Sequence, residues 1–243
     1  MILKPHNSIT ATALRYFIYS LTMGCLVCLV TWEAQHHIGE NLFEENSILE
    51  SLQAGLLLLT AASAFLAGYI DDSRESLAAV LLGAATIASI REFDFALDRF
   101  VFDGAWQCLA LGVALLTAIR VFRHRQAFKT ATLDFLERPC FGLMAGGFIT
   151  VFVFSRLIGR QILWRAVMGD HYMRAVKSAA EENCELLGYA LILFGAFEFL
   201  HDTLVAREAK HPAASPSSLG ALRLEEETRP AMQAHDPFHP HTP

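Results

Sequence analysis

Six stretches of this chain are apolar over nearly the length of a membrane crossing: residues 13–32, 48–70, 76–97, 102–122, 140–159 and 181–202. A helix rising about 1.5 Å per residue needs roughly 20 apolar residues to cross about 30 Å of hydrocarbon. The third stretch is the least regular. Its apolar part, Leu77 to Ile90, runs into Arg91-Glu92-Phe93-Asp94, and a helix continued through these charges must hold them in a protein interior or at the interface. From about residue 208 the pattern stops, and Pro, His, Ser, Ala and charged residues alternate without period. The pattern predicts an all-α, polytopic integral membrane protein with about six transmembrane helices in a bundle over residues 1–207. A disordered cytoplasmic tail is expected over 208–243.

Composition strengthens this reading. Of 243 residues 53% are apolar and only 18% charged, with a mean hydropathy of +0.36, whereas soluble domains carry about 25% charge. Lys and Arg number 19 against 25 Asp and Glu, a net charge of −6, so no basic surface for nucleic acid is expected. The five cysteines, Cys25, Cys28, Cys108, Cys140 and Cys184, are odd in number and mostly lie in or beside apolar runs, which argues against a disulfide framework. The first apolar run follows Lys4 and Arg15 and lacks a small-x-small cleavage site, so a retained signal anchor is expected.

With six spans and both termini on one side, that side collects 12 of the 19 basic residues, among them Lys4, Arg15, Arg74, Arg120, Arg123, Arg125, Lys129 and Arg138. The positive-inside rule then places both termini in the cytoplasm. Against this runs the connection after the fifth span, where Arg156, Arg160, Arg165, Arg174 and Lys177 fall outside. It alternates basic and apolar residues around Trp164, as a helix lying on the bilayer surface would.

Acidic residues balance the basic ones on the inner side, 12 and 12, but outnumber them 13 to 7 on the outer. They gather at helix ends: Glu44, Glu45 and Glu50; Glu92, Asp94, Asp98 and Asp103; Glu181, Glu182 and Glu185. Alternating topology brings these ends to one face, where Glu50, Arg91, Glu92, Asp94, Asp98, Arg156, Arg160, Glu181, Glu182 and Glu185 are expected to form a polar cluster. Arg91, Asp94 and Asp98 fall on one helical stripe, so Arg91 is expected to neutralise Asp94. Acids at helix starts also serve the macrodipole, a sufficient account of Glu44, Glu45, Glu181 and Glu182. Glu50, Glu92, Asp94 and Glu185 lie deeper or at a carboxyl end and are the candidates for buried pairing or ligand binding.

Carboxylates with an imidazole could hold a divalent metal, the candidates being Glu50, Glu92, Asp94, Glu185 and His171, with His36 and His37 on the same side. None has a His-Glu-x-x-His spacing. A cavity-facing carboxylate could instead bind a cation or relay protons. Glu198-Phe-Leu-His201 reads as an interfacial helix end, because one Glu-x-x-His copy does not make a carboxylate-bridged site. No histidine lies at the centre of a span, and phosphate loops and Gly-x-Ser-x-Gly elbows are absent, which removes haem, nucleotide and serine-hydrolase motifs.

Glu45-Asn-Ser-Ile-Leu-Glu50, Arg91-Glu-Phe-Asp94 and Glu181-Glu-Asn-Cys-Glu185-Leu-Leu-Gly together resemble uncharacterised bacterial multispanning membrane proteins in which acidic pairs open or close successive helices. The resemblance spans residues 44–200, implies a bacterial inner-membrane setting and brings no activity with it. The paired histidine motif of the ceramidase-like membrane hydrolases is missing. The expectation is a non-enzymatic binding, transport or accessory subunit, in contact with lipid and a partner membrane protein, whose cluster fixes the bundle or receives a cation. A membrane-embedded metal-dependent hydrolase is the alternative. Gly55, Ala61, Ala62, Ser63, Gly83, Ala84 and Ala85 are expected at close helix contacts.

Overall fold

A computed structural model describes residues 6–36 and 48–210. The expectations placed on Lys4, His37, Glu44, Glu45 and the tail from residue 211 lie outside the described residues. Every regular element described is helical. In order they are α1 (His6–His36), α2 (Ile48–Ile70), α3 (Glu75–Glu92), α4 (Asp94–Phe100), α5 (Ala105–Arg123), α6 (Arg125–Leu136), α7 (Pro139–Ile149), a π-helical segment (Thr150–Ser155), α8 (Arg156–Ile158), α9 (Gln161–Met168), a 3-10 turn (Gly169–His171) and α10 (Arg174–Lys210). A compact unit ends at Thr203, and the helical residues beyond it belong to a second unit.

Five of these helices are long and apolar enough to cross a membrane: Ile9–Trp32, Leu49–Ile70, Ala105–Arg123, Pro139–Ile158 and Arg174–Ala209. Their outward faces are greasy, with Leu58, Phe65, Leu111, Leu116 and Phe152 all exposed, an arrangement suited to hydrocarbon rather than water. The expected third span, 76–97, is not a single helix. α3 stops at Glu92, Phe93 leaves helical geometry (φ −101°, ψ 18°), and α4 restarts at Asp94. Asp98 accepts a hydrogen bond from the backbone N–H of Gly104 at 3.0 Å, and Gly104 adopts a left-handed conformation (φ 85°) that glycine tolerates without strain. That turn fixes α4 as a separate short helix, so the Arg91–Asp94–Asp98 stripe is broken.

α10 is the central element. Leu186, Tyr189, Ala190, Leu193, Phe194, Ala196 and Phe199 are all buried on it, and they join two apolar cores, one with α1, α2 and the π segment and one with α3, α6 and α7. Its contact with α7 is unusually close. A Cβ on Gly147 would lie 2.6 Å from the carbonyl oxygen of Gly188, and one on Gly195 would lie 3.1 Å from that of Cys140. Small residues let membrane helices approach at backbone distance and gain dispersion contacts that larger side chains would block. Among the small residues expected at contacts, Gly83 abuts Thr117 of α5, whereas Gly55 has nothing within 4 Å.

This difference sets a test. Gly188→Leu should lower the melting temperature of the detergent-solubilised protein by an amount worth about 2 kcal/mol, read by fluorescence-monitored unfolding. Gly55→Leu should leave it near wild type.

Candidate functional site

The carboxylate of Glu185 is buried, with 5% of its side chain exposed, and three separate elements meet it. Ser155 donates its hydroxyl at 2.8 Å. Arg156 donates from Nη2 to the same oxygen at 3.1 Å, and Arg91 reaches the other oxygen at 3.4 Å. Arg91 also donates to Glu92 at 3.1 Å and to the Tyr189 hydroxyl at 3.3 Å, while that hydroxyl donates to Glu92 at 2.8 Å. An arginine therefore stands between Glu92 and Glu185. Removed from water, two carboxylates can share a pocket only with such a counter-charge.

The π segment sets up this arrangement. A π turn is in effect one residue inserted into an α-helix, so all that follows is rotated by about 100°. Thr150–Ser155 forms that turn, and the residues that leave it are the ones that meet Glu185. π turns occur often at functional sites. The segment is purely apolar and hydroxylic, Thr-Val-Phe-Val-Phe-Ser, and carries no sequence signal of a break.

Around this core the acidic cluster divides. Glu181 pairs with Lys177 at 2.5 Å and with Arg156 at 3.5 Å. Glu182 accepts from the amide of Gln53 at 2.9 Å. Glu50 and Asp94 are partly buried at the starts of α2 and α4, and Arg160 and His171 are exposed on the connection between α8 and α10. Arg91, expected to neutralise Asp94, pairs with Glu92 and with Glu185 of α10. Among the described residues, no group of three or more His, Cys, Asp or Glu side chains is arranged to hold a metal ion. Glu50, Glu92, Asp94, Glu185 and His171 are not assembled into one. Beside the cluster a cleft of about 330 Å³ is lined by Leu57, Ala84, Trp106, Phe148 and Phe152, with Arg91 and Tyr189 among its few polar residues.

A second polar assembly lies at the other end of α10. Glu198, expected at an interfacial helix end, is buried, with 7% of its side chain exposed, and is gripped by Arg15 at 2.9 Å and by Tyr19 at 2.9 Å. Arg15 Nη1 also lies 3.3 Å from His201 Nε2. Next to it Asp202 meets Arg138 at 3.1 Å, Arg138 clasps Asp134 at 2.9 and 3.0 Å, and Asp134 lies 3.7 Å from the buried Arg74. Arg74 donates to Thr203 at 3.0 Å and stacks 5.6 Å over the Phe199 ring. In the sequence Arg15, Arg74 and Arg138 register only as topology markers. Their one sequence signal as pairing residues is the matching set Glu198, His201, Asp202 and Thr203 on a single helix end. α6, unforeseen in the connection, supplies Asp134 and buries Ala131 and Phe135.

No family model, curated protein or solved structure matches this chain.

Two outcomes follow from the geometry. Glu185→Ala leaves the partly buried Arg91 without one of its two counter-charges and should destabilise the solubilised protein by about 2 kcal/mol, whereas Arg160→Ala should be near neutral, both read by thermal melting. The Arg138 guanidinium holds the Asp134 carboxyl below its ordinary value, so the pair stabilises the fold above about pH 4 and the benefit fades as pH falls through the lowered value. Asp134→Asn should therefore melt below wild type at pH 7 and converge on it in acid.

Proposed function

We propose that the chain is a non-enzymatic membrane protein of six spans, a small binding, transport or accessory subunit whose carboxylate and arginine cluster faces the outer side. The alternation of long helices supports six crossings. α3 is joined to α2 by the short turn 71–74 and packs along both α2 and α5, so it returns the chain between two helices that are themselves long enough to span. Basic residues at the Arg15, Arg74 and Arg138 end favour that end as cytoplasmic, with the amino terminus there. A bacterial inner membrane is the setting proposed from the resemblance. α9, with Ile162 and Val167 exposed, suits a helix resting on the outer surface.

The observation that carries the non-enzymatic reading is Arg91, shared between Glu92 and Glu185. A hydrolytic metal site needs carboxylate oxygens converging on one point with an open coordination position. Here the deepest carboxylate spends its oxygens on Ser155 and two guanidinium groups. Such a clamp ties three helices at one face, with Glu182, met by the neutral amide of Gln53, beside it.

Elemental analysis of the purified, untagged protein tests this. The expected result is no stoichiometric divalent metal in wild type and none in Glu50→Gln or Glu185→Gln. A stoichiometric divalent metal that disappears in both variants overturns the reading in favour of the hydrolase.

A further inference from the structure

α3 sits back between two neighbouring helices. It packs along both α2 and α5, and none of its residues is exposed, whereas Phe65 and Tyr69 of α2 and Leu116 and Ile119 of α5 stand out on either side. Small residues draw the three helices together: a Cβ on Gly68 would lie 3.0 Å from the Cβ of Ala78, and Gly83 abuts Thr117. The surface is therefore furrowed on both sides of α3. One furrow, of about 350 Å³, runs between α2 and α3 past Phe65, Gly68 and Tyr69. The other, of about 490 Å³, runs between α3 and α5 from Thr86 and Val113 to Arg123 and His124. Val113 to His124 is about 16 Å of helix. Ala79, Leu82 and Arg120 line both furrows, so the two meet at Arg120.

Their meeting point is positively charged. Arg120, Arg123, His124, Arg125 and Lys129 crowd the end of α5 and the start of α6, and no acid stands between Asp103 and Asp134. All five are exposed. Of these, only Arg120 is ion-paired among the described residues, with Glu75. The Glu185 and Glu198 ends of α10 differ, since arginines there face carboxylates. Positive charge at a cytoplasmic helix end is expected of any spanning helix and by itself asks for no ligand. The pair of apolar furrows beneath it does: a cationic mouth over two apolar channels is complementary to a molecule with one anionic head and two hydrocarbon tails.

We propose that this surface binds one diacyl phospholipid with an anionic headgroup. Arg120 and Arg123 hold its phosphate, with His124 beside them, and its two acyl chains lie one on each side of α3. Basic pockets between helices on the cytoplasmic side suit anionic lipid heads, and this is the end at which Arg74 and Arg138 place the cytoplasm. The pair of Arg120 with Glu75 is exposed and costs little to open, so the planar guanidinium can turn to a phosphate. The site goes beyond the carboxylate cluster: it lies at the opposite end of α3 from Arg91, and its failure leaves the Arg91 clamp intact.

Native mass spectrometry of the full-length, detergent-solubilised protein tests this, with phosphatidylglycerol, phosphatidylcholine, lysophosphatidylglycerol and glycerol phosphate as probes. Wild type should take up one phosphatidylglycerol saturably and bind phosphatidylcholine about tenfold or more weakly, because nearby basic residues attract the anionic head. The one-chain lysolipid should bind more weakly than the diacyl lipid, and glycerol phosphate should not bind. Arg120→Gln/Arg123→Gln should weaken phosphatidylglycerol by about tenfold or more and leave phosphatidylcholine unchanged, whereas Arg165→Gln on α9 should change neither. Ala79→Leu, which narrows both furrows, should weaken phosphatidylglycerol with every basic residue in place; if that variant does not assemble, the two-chain against one-chain comparison on wild type decides alone. Equal affinity for phosphatidylglycerol and phosphatidylcholine overturns the proposal, as does phosphatidylglycerol binding unchanged in the double arginine variant. Binding lost with the arginines but untouched in Ala79→Leu also overturns it, placing the lipid on the surface outside the furrows. Equal binding of the lysolipid removes the two-furrow seat, and equal binding of glycerol phosphate replaces the lipid with a free-phosphate site.

Discussion

A carboxylate carried into hydrocarbon has no water to accept from, and its ionised form survives there only where the protein supplies donors and counter-charge. α10 carries two such groups, Glu185 and Glu198, separated by 13 residues, or about 20 Å along a helix. Each is met by side chains from other helices: Ser155, Arg156 and Arg91 at one end, Arg15 and Tyr19 at the other. The bundle is thus pinned to its central helix at two levels. Between them α10 offers apolar surface and glycines, with the Tyr189 hydroxyl as its polar group.

The two pins draw on different partners. At the Glu198 end, acids and arginines alternate from Arg15 to Arg74, linking α1, the turn after α2, α6, the start of α7 and α10. At the Glu185 end the arginines serve Glu92, Glu181 and Glu185, while Glu182 meets a neutral amide. The π segment lies next to that end, and the apolar cleft lined by Phe148, Phe152, Arg91 and Tyr189 lies beside it.

Packing of α7 on α10 belongs to the same design. Gly147, Gly188 and Gly195 bring the two backbones together, so Ser155 can reach Glu185 with a short hydroxyl. Longer side chains at those glycines would hold the helices apart and force a longer donor to span the gap.

Much of this protein is determined by its sequence alone. Runs of about 20 apolar residues fix where helices lie, because length and hydropathy are local properties: α2 occupies 48–70 as expected, and the fifth stretch, expected at 140–159, is helical over Pro139–Ile158. That Arg91, Glu92 and Glu185 are unusual is also legible, since charges inside apolar runs stand out against their neighbours. What only the tertiary structure decided is who meets whom. Arg91 meets Glu185 because α3 packs beside α10; Asp98 goes to a turn; Glu198 is buried where Arg15 arrives from α1, 183 residues away. The π turn and the pairing of the Gln53 amide with Glu182 leave no trace in composition. Both arise from how neighbouring helices constrain a backbone and an amide that could locally have done otherwise, and such constraints exist only once the helices are packed.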